Sequence, residues 1–94
     1  MELKDTVELM ASADFKDRAK AEYWQVKIRY EKLKTMLNKY EVGLKEVNVE
    51  GRLGFKPNCS FELLREQHRF MGQYLHILEL RAVIEDIDLT AEKN

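Results

Sequence analysis

The sequence predicts an all-α protein: an antiparallel hairpin of two long helices, with a short N-terminal helix and a long loop or small β-hairpin between the long helices. Three observations predict it. Apolar residues recur at spacings of four and three along two long stretches, the pattern of a helix with one buried seam. The one segment without that period, residues 42–58, lies between them. Helix-capping residues stand at the start of each stretch.

The elements follow in order. Asp5-Thr6-Val7-Glu8 has the capping-box form and predicts a short helix over 6–11 carrying Val7 and Met10. Ser12 or Asp14 caps a long helix over 13–41. Its apolar side holds Phe15, Ala19, Tyr23, Val26, Tyr30, Leu33, Leu37 and Tyr40, a heptad seam from Ala19 onward. Gly43 suits the position just past the helix end. In 42–58, Val47 and Val49 alternate with polar neighbours and Gly51 offers a turn, while Pro57 biases Lys56 away from helix. Asn58 or Ser60 caps a second long helix over 60–87, with a seam of Leu64, His68, Met71, Leu75, Leu78 and Ala82. A neighbouring row holds Leu63, Phe70, Tyr74, Ile77 and Ile84, and Leu80, Val83 and Ile87 occupy the far side. The polar tail 88–94 is expected to fray.

Ninety-four residues make one domain of modest intrinsic stability, and oligomerisation is a usual remedy. Charged residues are 35% of the chain, but 17 acids against 16 bases leave a net charge of −1. Whole-molecule attraction to nucleic acid or an anionic membrane is therefore not expected, and an anion site must be a local cluster. Cys59 is the only cysteine, which excludes an intrachain disulfide. No signal peptide or membrane span is legible, and residence in the cytoplasm of a host cell is the expectation.

Both helices carry more apolar surface than one partner covers. Ala21, Trp24, Ile28 and Thr35 lie away from the Tyr30 seam, and the last helix has its additional rows. Self-association into a homo-oligomer is the reading preferred; the alternative is that the short first helix and the loop cover the excess.

No residue set reads as catalytic. His68 and His76 are too far apart on one helix to grip a metal together, and His68 falls in the seam, where it reads as a hydrogen-bonded core histidine. Cys59 lacks a paired base and reads as a partly buried residue of the cap region. Gly72 inside the last helix implies either close approach of a backbone or ligand, or a tolerated glycine at a crowded crossing. The lysines at 16, 20, 27 and 34 read as a solvated border neutralised by acids such as Glu31. The tyrosines at 23, 30 and 40 read as core with hydroxyls at the rim, the alternative being the lining of a pocket between helices. Phosphate-binding glycine motifs are missing, yet Gly51-Arg52-Leu53-Gly54-Phe55-Lys56 places two glycines, two cations and an aromatic ring beside a helix N-terminus, with Arg65 and Arg69 following. The bland reading of that segment is a basic surface loop.

Residues 1–10, Asp17-Arg18, Ala21-Glu22-Tyr23 and Lys27-Ile28-Arg29-Tyr30-Glu31-Lys32-Leu33 resemble a group of small phage-encoded proteins common in phages of Firmicutes. These are grouped with a small protein first named from a crAss-like phage. Phe55-Lys56-Pro57-Asn58-Cys59, Leu63-Leu64-Arg65-Glu66-Gln67, Met71-Gly72-Gln73-Tyr74-Leu75 and Leu78-Glu79-Leu80-Arg81-Ala82 carry the same likeness. Relatives usually have Gly where Asp86 stands, and residues 44–53 look longer than the usual connector. The resemblance implies a phage accessory protein rather than a virion part or an enzyme. By analogy of size and architecture it points to the sponges that sequester nucleotide signals of host defences such as Thoeris and CBASS. The expected ligand site combines Arg52, Phe55 and Lys56 with Arg65, His68 and Arg69, and Trp24 is a stacking wall from a neighbouring subunit. Cations would meet phosphates and rings would hold a base. No cofactor, metal, membrane or nucleic-acid partner is expected. The alternative function is a helical module that inhibits or bridges another protein.

Overall fold

The structure is a computed structural model that describes residues 1–43 and 59–90. Its described elements are all helical: a 3₁₀ turn Leu3–Thr6, α1 Val7–Met10, α2 Phe15–Gly43 and α3 Phe61–Ile84. The β-hairpin alternative falls in 44–58 and lies outside the described residues.

The chain turns helical at Leu3 rather than Thr6. The Glu2 backbone N–H donates to Asp5 Oδ2 at 2.8 Å, so Asp5 is the acid reaching back in a capping box, not the residue that opens one. The Thr6 hydroxyl donates to the Leu3 carbonyl at 2.7 Å, and Thr6 and Leu9 are both buried where this N-terminal unit packs on α2. Asp14 caps α2 by accepting the Lys16 N–H at 2.9 Å. Ser12 supports it, accepting the Asp14 N–H and donating to Asp17 Oδ2. Ser60 caps α3 by accepting the Leu63 N–H at 3.2 Å.

The two long helices run antiparallel. Tyr40 lies against Phe61 near one end and Tyr30 against His68 farther along, while Lys16 Nζ donates to the Asp86 carbonyl near the other. Leu37, Leu75, Leu78 and Ala82 are buried along the seam, and Ala21 is buried on α2, which also carries the N-terminal unit. Most other seam residues are only half-buried, because a two-helix hairpin covers one side of each helix. Phe15, expected on the seam, is exposed.

α3 stops at Ile84, not at the expected Ile87. Asp86 adopts φ 57°, and the Ile87 N–H returns to the Ala82 carbonyl at 2.8 Å while the Asp86 N–H faces the Val83 carbonyl. That pair of bonds is a Schellman closure, with Asp86 at the left-handed position glycine usually fills. The chain beyond is held rather than frayed as far as Leu89, whose carbonyl accepts the Trp24 indole N–H at 2.8 Å; residues 91–94 lie outside the described residues.

Candidate functional site

The expected site residues divide into three groups. Arg52, Phe55 and Lys56 lie outside the described residues. Arg65, His68 and Arg69 share α3 but not one cluster. Trp24 stands well along α2 from Tyr40, about 24 Å at the rise of a helix.

The end of the hairpin from which 44–58 depart is lined by aromatic rings and a cation. Tyr40 and Phe61 are stacked with centroids 3.4 Å apart and planes 9° from parallel. The Arg65 guanidinium sits 5.7 Å from the Tyr40 centroid and its Nη2 is 3.0 Å from Glu41 Oε1. Heptad spacing explains the meeting, since the last seam residue of α2 faces the first turn of α3. One turn on, Arg69 binds Glu66 at 2.8 Å and covers Phe70 at 4.4 Å. Both arginines are about half exposed and each already holds one carboxylate. A guanidinium carries five N–H donors, so each retains donors for a second anion.

His68 lies inside the hairpin, its ring 4.2 Å from that of Tyr30 and 13° from parallel. Its Nε2 is buried without a hydrogen-bond partner among the described residues. The expectation of a hydrogen-bonded core histidine is thus not met at that atom among the described residues, where stacking on Tyr30 is what holds the His68 ring. Gly72 is explained by the same contact. A Cβ there would lie 3.2 Å from Tyr30 Cε1, so the crowded crossing, with a side chain rather than a backbone, accounts for it.

Trp24 is half-buried and meets Tyr23 edge to face at 5.5 Å. With its N–H given to Leu89, its polar edge is engaged within the chain. Leu89 and Ile87 also line a shallow cleft with Glu22, Leu78 and Arg81. Cys59, expected to be partly buried, is exposed. Among the described residues no group of three His, Cys, Asp or Glu side chains is arranged to hold a metal, and no helix is long and apolar enough to cross a membrane.

Sequence reasoning missed Tyr40, Glu41 and Phe61 as neighbours of Arg65. Tyr40 was readable as a seam residue or as the lining of a pocket between helices; what pairs it with Phe61 is the register of the hairpin, which the length of the connector does not fix. Leu89 was missed because a backbone carbonyl has no residue signature; the donor of Trp24, which needs a partner when half-buried, was the available hint.

The fold defines a class, a narrow helical hairpin, whose one end presents stacked rings beside partly neutralised arginines. The chain belongs to the Sequestin family, whose sequence profile matches residues 13–84. The matched span contains all of α2 and α3 and excludes the N-terminal unit and the closing turn. The family name denotes sequestration, which is binding rather than conversion. No curated protein and no solved structure matches the chain.

Proposed function

We propose that this protein is a phage accessory anti-defence factor that binds a nucleotide-derived immune signal and holds it uncleaved, in pockets between copies of the chain. Membership of the Sequestin family across both long helices carries the reading. The stacked rings and arginines at the hairpin end suit it: guanidinium groups pair with phosphates and aromatic faces accept a base. Arg65 and Arg69 would take phosphate oxygens, Arg52, Phe55 and Lys56 would add two cations and a ring, and His68, buried against Tyr30, would reach a ribose or base only where binding uncovers its Nε2. Trp24 would act as a wall toward a second copy. ADP-ribose-derived and cyclic nucleotide signals are the ligand classes of this chemistry, met in the cytoplasm of the infected cell.

Incubating the protein with each signal, removing free ligand, denaturing the complex and identifying the released molecule by mass spectrometry tests the proposal. Return of intact ligand is expected. Return of an altered molecule would make the protein an enzyme, and no retention of either class would sink the proposal. Arg65→Ala and Arg69→Ala are each expected to weaken retention by about tenfold, the worth of one charge-assisted contact. A second reading, a module that inhibits or bridges another protein, is favoured by the exposed apolar residues along α3. Recovery of one stoichiometric protein partner together with an absence of ligand would select it.

A further inference from the structure

We infer that the outward face of α3 pairs antiparallel with α3 of a second copy, across a two-fold axis passing between Gln73 and Tyr74. The inference rests on the self-association in the proposed function and is independent of its ligand.

Leu63, Phe70, Tyr74, Ile77 and Ile84 recur at helical spacings on the side of α3 turned away from α2, and all five are exposed. The pattern is self-complementary. Leu63 and Ile84 lie equally far from the point between Gln73 and Tyr74, and so do Phe70 and Ile77. An antiparallel copy therefore sets Leu63 against the partner's Ile84 and Phe70 against the partner's Ile77, with Tyr74 beside the axis facing the partner's Gln73.

The charges on the same face choose the direction. Glu66 and Arg81 are also equidistant from that point. Arg81 has no carboxylate partner among the described residues, whereas Glu66 is held by Arg69. Antiparallel pairing brings Glu66 to the partner's Arg81 twice. Parallel pairing in register would set Glu66 on Glu66, Arg69 on Arg69 and Arg81 on Arg81, and like charges at an interface select against an arrangement.

Sedimentation of the full chain at micromolar concentration, with circular dichroism to confirm helix content, tests the seam. Wild-type protein is expected to be dimeric or a multiple of dimers. Arg81→Glu is expected to weaken association about tenfold or more by facing two acids across the axis. The double exchange Glu66→Arg with Arg81→Glu restores it in an antiparallel pair but leaves a parallel pair as repulsive as before. Ile77→Glu is expected to abolish association by placing a charge on the apolar row, and should it spoil the fold, Ile77→Ser serves in its place. Monomeric wild-type protein, undiminished association of Arg81→Glu, or no recovery in the double exchange would each overturn the inference. A wild-type dimer that retains no nucleotide signal would leave the seam standing and remove the sequestration reading; a monomer that retains the signal would do the reverse.

Discussion

Asp86 is the residue whose backbone most constrains what may replace it. At φ 57° a side chain crowds the neighbouring carbonyl, and glycine escapes that cost. Asp86→Gly is expected to stabilise the fold by about 0.5–1 kcal/mol, read as a rise in thermal midpoint, since the left-handed closure is already in place. Gly72 behaves oppositely. Alanine gains about 1 kcal/mol of helix propensity, but its Cβ presses on a Tyr30 ring already stacked against His68. Gly72→Ala is therefore expected to destabilise the wild-type chain and to stabilise a Tyr30→Leu background, a change of sign that chemical denaturation of the four proteins would reveal. His68→Phe keeps a ring on Tyr30 and removes the unpaired nitrogen, so stability is expected to hold or rise by up to about 1 kcal/mol. Signal retention measured on that variant separates a binding role of Nε2 from a packing role.

At the scale of elements, short segments at both ends are docked on the α2–α3 hairpin. The N-terminal unit is fixed by Leu9, fully buried, and by Gln25 Nε2 donating to Thr6 Oγ1 at 3.0 Å. Leu9→Ala is expected to cost about 2–4 kcal/mol, with lost amide protection centred on residues 3–10. The C-terminal segment depends on the Trp24 bond to Leu89. Trp24→Phe removes that donor at a cost of about 0.5–1.5 kcal/mol and is expected to speed amide exchange at 87–90 while leaving the middle of α3 protected. The Lys27 pair contributes little by comparison. Its hydrogen bond to Glu31 raises the Lys27 ammonium above the ordinary lysine range, while partial burial pulls the other way. That contribution is present below the ordinary lysine pKa and is lost as pH rises through the raised value; with both side chains largely in water it is small.

For the whole molecule, the controlling fact is thinness. The molecule extends 50 Å by 24 Å by 20 Å, and its core is two narrow strips, the α2–α3 seam and the patch where Thr6 and Leu9 meet α2. Burying one large apolar side chain contributes roughly 1.5–3 kcal/mol, so the exposed row on α3 represents stability that a monomer forgoes and a second copy would recover. Thermal midpoint is accordingly expected to rise with protein concentration and to lose that dependence in Ile77→Glu, because association adds stability only to the folded, assembled state.

The helices were legible before any coordinates because they are local events. A period of three and four, with Ser12 or Asp14 and Asn58 or Ser60 as caps, narrows where the two helices begin and specifies which side of each is apolar, whatever lies across from it; the structure chose Asp14 and Ser60. The sequence also indicated that α3 has apolar residues beyond one seam. What it left open were the matters that depend on a second element. Whether His68 finds a partner, why Gly72 is a glycine, where α3 yields to a left-handed turn and what holds Leu89 were decided by the register between α2 and α3. That register follows from side chains interlocking across the seam, and a pattern read along one helix carries no information about the height at which the other one meets it.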